Sequence, residues 1–228
     1  MSMDEEYQRK TRRHYMDAAV ADDYAMRQVS ALRAPAEWTV ARLEIARVSA
    51  ALRRLGAEAT ATVLDVPAGT GKLQPMLTAR FAGYLAMDVS HAMMLHVPGT
   101  NPRVQADATK LPLRSGAVDY VVVLRLLHRV PRDVVEAVVG EALRVARYGA
   151  VVSYAGAARS GAAHSLIRKV ARRQQNTTTI LATQELATLA GARDADVVCD
   201  DSISFGLTNE RVAALRKRPV DPSPASSR

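Results

Sequence analysis

Val63-Leu-Asp-Val-Pro-Ala-Gly-Thr-Gly-Lys72 is the stretch that decides how this chain folds. It begins as an apolar run, turns at two glycines and continues into a helical pattern. Gly69 and Gly71 permit positive φ and let a ligand approach the backbone, and the first N–H groups of the following helix have no partner within it. The spacing ahead of Lys72 disfavours a Walker-type phosphate loop, and Pro67 replaces the first glycine of a dinucleotide fingerprint. The stretch therefore predicts a strand, a turn and a helix arranged around a small ligand.

Short β-rich runs alternate with helical stretches through the rest of the chain. The predicted strands are residues 62–66, 84–88, 103–106, 118–123, 150–154, 196–199 and 211–215. Such alternation is typical of a parallel sheet whose strands are joined by crossover helices. We therefore predict an α/β fold, with a doubly wound, mostly parallel seven-stranded sheet, helices on both faces and an N-terminal helical cap.

The length of the chain suits one folded domain with an extension at each end. Its 228 residues are enough for one α/β core and too few for two ordinary domains. We predict a helical extension or cap at 1–58, the Rossmann-like domain at 59–218 and a disordered tail at 219–228. In the extension, apolar residues recur at helical spacing, namely Val40, Leu43, Val48 and Leu52.

Local signals also predict two helices of the domain. Residues 133–145 carry a recurring apolar face that suits a helix lying on the sheet, and Gly149 is expected to end it. Thr183 resembles an N-cap for a helix at 184–189 that stops at Gly191. Residues 159–181 show no clear buried face, so we expect a surface helix followed by a loop.

Acidic residues close two further predicted strands. Asp88 ends the second strand, where a carboxylate can accept hydrogen bonds from both hydroxyls of a ribose. Asp107 ends the third strand, where it can accept from an adenine amino group while Ala108 lies against the ring. Taken singly, each acid could equally be a helix cap or a solvated loop residue. Together with the glycine turn they predict a nucleoside-binding edge.

The order of these motifs resembles that of the class I S-adenosylmethionine-dependent methyltransferases. VLDVPAGTG at 63–71 resembles their first motif, and YLAMDVSHAMM at 84–94 resembles their second. QADATKLPLRSGAVDYVVV at 105–123 resembles their third and fourth motifs. The chain is most similar to the small-molecule group that includes the ubiquinone and menaquinone C-methyltransferases. The resemblance implies a Rossmann-like fold and S-adenosylmethionine as the cofactor.

The resemblance also implies positions for the cofactor. In such proteins the acid that opens the first motif, here Asp65, lies near the methionine end of the cofactor. The glycine loop passes under the ribose and the carboxypropyl part. Pro67 departs from the commonest glycine of that loop, which leaves the detailed loop path open. The predicted cofactor contacts in and around these motifs are Asp65, Pro67, Ala68, Gly69, Gly71, Asp88, Val89, Asp107, Ala108 and Leu124.

The N-terminal extension contains a second family-like segment. Residues 14–27, His-Tyr-Met-Asp-Ala-Ala-Val-Ala-Asp-Asp-Tyr-Ala-Met-Arg, resemble the Tyr-Asp cap that closes over the cofactor in this group. That resemblance places Tyr15 and Arg27 among the cofactor contacts and Tyr24 among the catalytic residues. The alternative is an amphipathic helix that packs its aromatic residues on the core.

Two residues after the fourth predicted strand are candidates for the chemistry. A sulfonium methyl is already activated, so alignment of the acceptor and exclusion of water are the main tasks, and no catalytic metal is required. His128 lies where a doubly wound sheet opens its crevice and is the candidate general base. Arg125 could bind an acidic acceptor or the cofactor side. A structural role for His128 is the alternative.

Composition leaves the methyl acceptor open. The leading hypothesis is transfer to a small-molecule or lipid-like acceptor. A net charge of +8 and basic runs at 9–13 and 168–173 also allow an RNA methyltransferase or contact with a membrane surface. A non-catalytic partner protein that binds the cofactor is a further alternative.

Cysteine content and the ends of the chain bear on the compartment. The single cysteine, Cys199, excludes a disulfide framework and a cysteine-based zinc cluster, so no structural metal is expected. No apolar run approaches the roughly 20 residues of a membrane span, and no signal-like segment opens the sequence. We expect a cytoplasmic protein.

Overall fold

The fold was analysed in a computed structural model, which describes residues 16–29, 35–157, 179–203 and 209–219. The helices are α1 (Ala18–Val29), α2 (Pro35–Arg54), α3 (Gln74–Arg80), α4 (His91–Leu95), α5 (Arg132–Val145) and α6 (Thr183–Gly191). The strands are β1 (Thr62–Asp65), β2 (Gly83–Asp88), β3 (Arg103–Gln105), β4 (Val118–Val123), β5 (Ala146–Ala155), β6 (Ala195–Ser202) and β7 (Glu210–Lys217). A 3₁₀ turn, Leu127–Arg129, follows β4.

All these strands join one seven-stranded sheet in the order β3-β2-β1-β4-β5-β7-β6. Strands β1 to β5 run parallel to one another. Strand β7 lies antiparallel to both β5 and β6. The order reverses between β1 and β4, which opens a crevice at the carboxyl ends of these strands, where ligands of doubly wound sheets bind. The predicted fold class is confirmed.

Helices cover the sheet on both faces, because each carries one apolar stripe. On one face, Val48 and Leu52 of α2 are fully buried and pack with side chains from β1, β4 and β7. On the other face, α5 buries Val138 and Leu143, and α6 buries Leu186. Burying apolar stripes of this kind is the main contribution to the stability of such a layered fold.

The structure corrects two details of the helix prediction. Helix α5 ends at Val145, and Gly149 lies inside β5, where a Cβ would stand 2.3 Å from the carbonyl oxygen of Leu215 in β7. Gly149 therefore allows the close approach of a neighbouring strand, and it does not stop the helix. Thr183 is the first residue of α6, and Ala182 occupies the cap position that was predicted for Thr183. The predicted stop at Gly191 is confirmed.

Some predicted segments lie wholly or mostly outside the residues that the structure describes. Of the predicted surface helix and loop at 159–181, the structure describes only 179–181, and Leu181 forms an isolated bridge with Gly156. Both basic runs, 9–13 and 168–173, and the tail from 220 onward lie outside the described residues. Within the described part of the chain, no helix combines the length and the apolar character that crossing a membrane requires.

Candidate active site

The glycine turn after β1 forms an open cradle at the crevice. Gly69 and Gly71 have φ of +55° and +83°, values that side-chain-bearing residues rarely adopt. A Cβ at Gly69 would meet no atom within 4 Å, whereas one at Gly71 would stand 3.0 Å from Cδ of Pro98. Between them, the buried hydroxyl of Thr70 has no hydrogen-bond partner in the described structure. The turn therefore has open space beside Gly69 and, at the next residue, a buried hydroxyl without a described hydrogen-bond partner.

Asp88 fixes this turn against the end of β2. Its Oδ2 accepts a 2.8 Å hydrogen bond from the N–H of Gly69, and its Oδ1 accepts one of 2.8 Å from Ser90. Burial raises the pKa of Asp88, although the N–H groups of Ser90, Gly69 and Val89 lower it in part. A carboxylate has about four acceptor positions, so hydroxyl groups of a ligand can still bind to it. The structure brings Asp88 and the glycine turn together as predicted.

The adjacent end of β3 places Asp107 and Ala108 beside this edge. Asp107 accepts hydrogen bonds from the N–H and the hydroxyl of Thr109 through Oδ1, at 2.9 and 2.8 Å. The amide of Gln105 donates to the carbonyl oxygen of Val89 at 2.9 Å and so joins the two strand ends. Asp107 and Ala108 are both half-buried, which leaves each of them partly accessible.

Asp65 closes β1 beneath the turn and is nearly inaccessible. The hydroxyl of Tyr84 donates to its Oδ2 at 3.3 Å. Burial raises the pKa of Asp65 to about 8, the Tyr84 hydrogen bond opposes this shift and the negative charge of Asp88 adds to it. The Asp65 carboxyl is therefore mostly protonated at neutral pH. Of the other predicted contacts, Pro67 is half-buried and Ala68 and Leu124 are buried.

A buried carboxylate from the N-terminal extension enters the site between β1 and β4. Glu44 of α2 is fully buried and accepts from Nε and Nη2 of Arg125 at 2.7 and 2.6 Å. Its other oxygen accepts from Nζ of Lys72, directly after the glycine turn. Arg125 has φ of +61°, and its N–H donates to the hydroxyl of Ser153 at 2.7 Å. Glu44 thus ties the glycine turn to the end of β4.

The electrostatics of this cluster depend on pairing. Burial raises the pKa of Glu44, but the charges of Lys72 and Arg125 outweigh burial, and the net pKa is lowered. Burial lowers the pKa of Lys72. A second acid, Glu210 at the start of β7, is also buried and feels the charges of Arg125, Glu44 and Lys72, and burial raises its pKa. Two buried acids and two partly exposed cations therefore interact in one group, which we call the Glu44 cluster.

Sequence analysis missed the role of Glu44, although a signal was present. Glu44 lies four residues after Val40 and four before Val48, so it stands on the apolar stripe of a predicted helix. A carboxylate at such a position must be paired when it is buried, and its partners can be distant in sequence. Glu210 had no comparable signal.

His128 lies in the 3₁₀ turn after β4 and is 5% exposed. Its Nε2 accepts from Nε of Arg129 at 3.2 Å, and its Nδ1 has no hydrogen-bond partner among the described residues. Burial lowers the pKa of His128 to about 4, and the positive charges of Arg129 and Arg125 contribute. The imidazole is therefore neutral at pH 7 and holds a buried, unsatisfied nitrogen.

Helix α1 brings Tyr24 to the same side of the crevice. Nη1 of Arg129 donates to the Tyr24 hydroxyl at 3.4 Å, which links α1 to the His128 turn. Arg27 lies near the end of α1, in a part of the helix where side chains are not described, and Tyr15 lies outside the described residues. In the described part of the chain, no three His, Cys, Asp or Glu residues are grouped so that they could hold a metal ion.

Comparison with known proteins shows a similar domain around this site. Residues 64–153, which contain the turn, Asp88, Asp107 and His128, match the family described as "Methyltransferase domain". The matched segment, which is less than half of the chain, is therefore similar to methyltransferase domains. No curated protein matches this sequence.

Solved structures show the same fold at low sequence identity. Magnesium protoporphyrin IX methyltransferase from Synechocystis PCC 6803, with bound S-adenosylhomocysteine, superposes with a TM-score of 0.72 at 14% identity, covering 92% of this chain and 100% of that one. A methyltransferase from Thermotoga maritima gives a TM-score of 0.55 at 16% identity, covering 78% and 92% of the two chains. The [4+2]-cyclase SpnF gives 0.58 at 14% identity, covering 76% and 80%.

Proposed function

We propose that this protein transfers the methyl group of S-adenosylmethionine to a small-molecule or lipid-like acceptor. The observation that carries the proposal is the pairing of Asp88 with the N–H of Gly69 at the open side of the glycine turn. That pairing holds a carboxylate, backbone N–H groups and open space together at the point where the strand order reverses. The resemblance to quinone C-methyltransferases and the fold shared with a protoporphyrin methyltransferase support an acceptor of this kind.

The residues around the turn fit the cofactor. The unpartnered hydroxyl of Thr70 and the space above Gly69 are features that a bound ligand would fill. Asp88 would accept from ribose hydroxyls, Asp107 from the adenine amino group, and Asp65 would lie at the methionine end. The remaining contacts of the proposed cofactor site are Pro67, Ala68, Gly71, Val89, Ala108 and Leu124, with Tyr15 and Arg27 contributed by the N-terminal segment.

The acceptor would lie on the other side of the switch point, at the ends of β4 and β5. S-adenosylmethionine supplies an activated methyl group when bound, so the chain has to orient the acceptor and exclude water. His128 is neutral at pH 7 because its pKa is about 4, and Nε2, the nitrogen that accepts from Arg129, would be the one to take a proton from a phenol, enol or amine. Tyr24, whose hydroxyl accepts from Arg129, and Arg125 would orient the acceptor.

Titration calorimetry with S-adenosylmethionine and S-adenosylhomocysteine tests the proposal. We expect the wild-type protein to bind both, and Asp88→Ala to weaken both by roughly 10- to 100-fold, because ribose hydroxyls lose a charged acceptor. The matched control is Asp133→Ala, which removes an exposed carboxylate from the first turn of α5. Wild-type affinity in Asp88→Ala would remove Asp88 from the site, and no binding by folded wild-type protein would refute the proposed function.

A further inference from the structure

The Glu44 cluster lies across the point where the sheet reverses its order. Lys72 directly follows Gly71, and Arg125 follows β4, the strand that pairs with β1. Glu44 is fully buried, whereas the side chain of Lys72 is 19% exposed and that of Arg125 is 39% exposed. The two cations are therefore partly exposed at the ends of these two strands, and the carboxylate that pairs with both of them is buried.

The placement of Glu44 on α2 is energetically demanding. A buried carboxylate is unfavourable unless cations and hydrogen bonds compensate it, and Glu44 receives three N–H donors from two cations. Without it, Lys72 and Arg125 would repel each other in a region of low effective dielectric constant. The guanidinium of Arg125 stays protonated at any ordinary pH, so that charge cannot be relieved by losing a proton.

We propose that Glu44 is a positioning residue for the methyl donor: it neutralises the cations around the glycine turn and thereby lets the site accept the positively charged sulfonium of S-adenosylmethionine. The inference rests on the proposed function, since it concerns the same cofactor site. Glu44 is the carboxylate that pairs directly with Lys72 and Arg125, because burial raises the pKa of Glu210 and disfavours its charge. Loss of the Glu44 charge leaves an excess positive charge beside a cationic ligand.

The two ligands of the calorimetric assay separate this role from a purely structural one. S-adenosylmethionine carries a sulfonium, and S-adenosylhomocysteine carries a neutral thioether at the same place, while the rest of the two molecules is alike. A change in the shape of the site weakens both ligands, but a change in its charge weakens the sulfonium ligand more. The ratio of the two Kd values therefore reports the charge of the site.

The experiment compares wild-type protein with Glu44→Gln, Lys72→Met and the double variant Glu44→Gln/Lys72→Met. We expect Glu44→Gln to weaken S-adenosylmethionine roughly tenfold more than S-adenosylhomocysteine, because the unbalanced cations repel a sulfonium more than a neutral thioether. Lys72→Met should shift the ratio the opposite way, and the double variant should return it close to the wild-type value. The matched control is Glu58→Gln, an exposed acid outside the cluster.

Each outcome decides the inference. Equal weakening of both ligands by Glu44→Gln, or an unchanged ratio in Lys72→Met, would overturn it and leave Glu44 a structural residue. If Glu44→Gln does not fold, the ratio in Lys72→Met and in the double variant still decides. Absence of binding of either ligand to folded wild-type protein would instead refute the proposed function on which the inference rests.

Discussion

Asp65 is held in an environment that disfavours its charge. It is 1% exposed, its described hydrogen-bond partner is the Tyr84 hydroxyl, and its pKa is raised to about 8. A folded state that binds a proton more tightly than the unfolded chain is most stable at low pH and loses that advantage as pH rises. The residue that opens the first motif is therefore also a source of pH-dependent instability.

The variant Asp65→Asn should remove that dependence. Between the ordinary pKa of an aspartate and about 8, the wild-type free energy of unfolding should fall with rising pH through this group. The free energy of unfolding of Asp65→Asn should fall less over this range. The variant should therefore gain about 2 kcal/mol or more of stability relative to wild type between pH 5 and pH 8. Urea unfolding of both proteins at the two pH values measures the difference, and parallel pH dependence in the two would contradict the raised pKa.

The pKa of His128 is lowered, whereas that of Asp65 is raised. We expect His128 to contribute to turnover. We expect His128→Ala to lower the rate constant for methyl transfer by about 100-fold or more, as removal of a general base does, with little change in cofactor affinity. Because the pKa of His128 is about 4, its protonation should not lower the wild-type rate until the pH approaches that value. His91→Ala, which changes an exposed histidine at the start of α4, is the control. Unchanged turnover would exclude His128 from the chemistry.

At the residue scale, the sequence predicted contacts between residues whose motifs are close together in the chain. Asp88 and Gly69 lie at the ends of adjacent motifs, and their pairing could be anticipated from the order of strands and turns. Glu44 contacts residues 28 and 81 positions away, so only its place on an apolar stripe hinted at a buried partner. The positive φ of Arg125 had no signal at all, because no glycine marks it.

At the element scale, the two N-terminal helices differ in how they are attached. Helix α1 is joined to the domain by polar contacts, including Asp22 with His96 at 3.0 Å and Tyr24 with Arg129. Helix α2 instead buries Val48 and Leu52 against the sheet and carries Glu44. Helix α1 therefore borders the site through polar contacts, whereas helix α2 is part of the hydrophobic core.

A pair of truncations tests this difference and the predicted boundary at residue 58. Removing residues 1–34 should lower Tm by only a few degrees, because exposed ion pairs contribute about 1 kcal/mol or less each. Removing residues 1–58 should abolish cooperative unfolding, since each buried large apolar side chain that is lost costs roughly 2 to 5 kcal/mol. Circular dichroism melting curves distinguish the two, and a stable protein lacking 1–58 would show that α2 is dispensable.

Elements were predicted best where a hydrophobic period identified them. The strands and α5 emerged because apolar residues recur with the period of each element. The end of α5 was predicted from Gly149, but the glycine serves a neighbouring strand that is about 65 residues further along, since it clears the carbonyl of Leu215. A local signal therefore had a distant cause, which no single stretch of sequence could show.

At the scale of the whole molecule, the sheet is a common scaffold and the site is particular. The superposition on SpnF, a [4+2]-cyclase, shows that this fold also carries a different reaction, so the architecture alone does not determine the chemistry. A charge arrangement lies at the reversal of the strand order, where α2, the residue after the glycine turn, the end of β4 and the start of β7 each contribute one member. The fold was predictable from local patterns, and this arrangement required the three-dimensional structure.

The position of Glu44 also limits how this protein can be recombined with its relatives. Grafting a foreign N-terminal segment onto the domain would supply a helix of suitable length, yet the graft would orphan Lys72 and Arg125 unless it carried an acid facing them. A chimera designed by matching apolar positions alone would place an alkyl side chain against the ammonium of Lys72 and the guanidinium of Arg125. Swapping of caps between such enzymes is therefore constrained by one carboxylate, which has to travel with the helix or be reinstalled in its replacement.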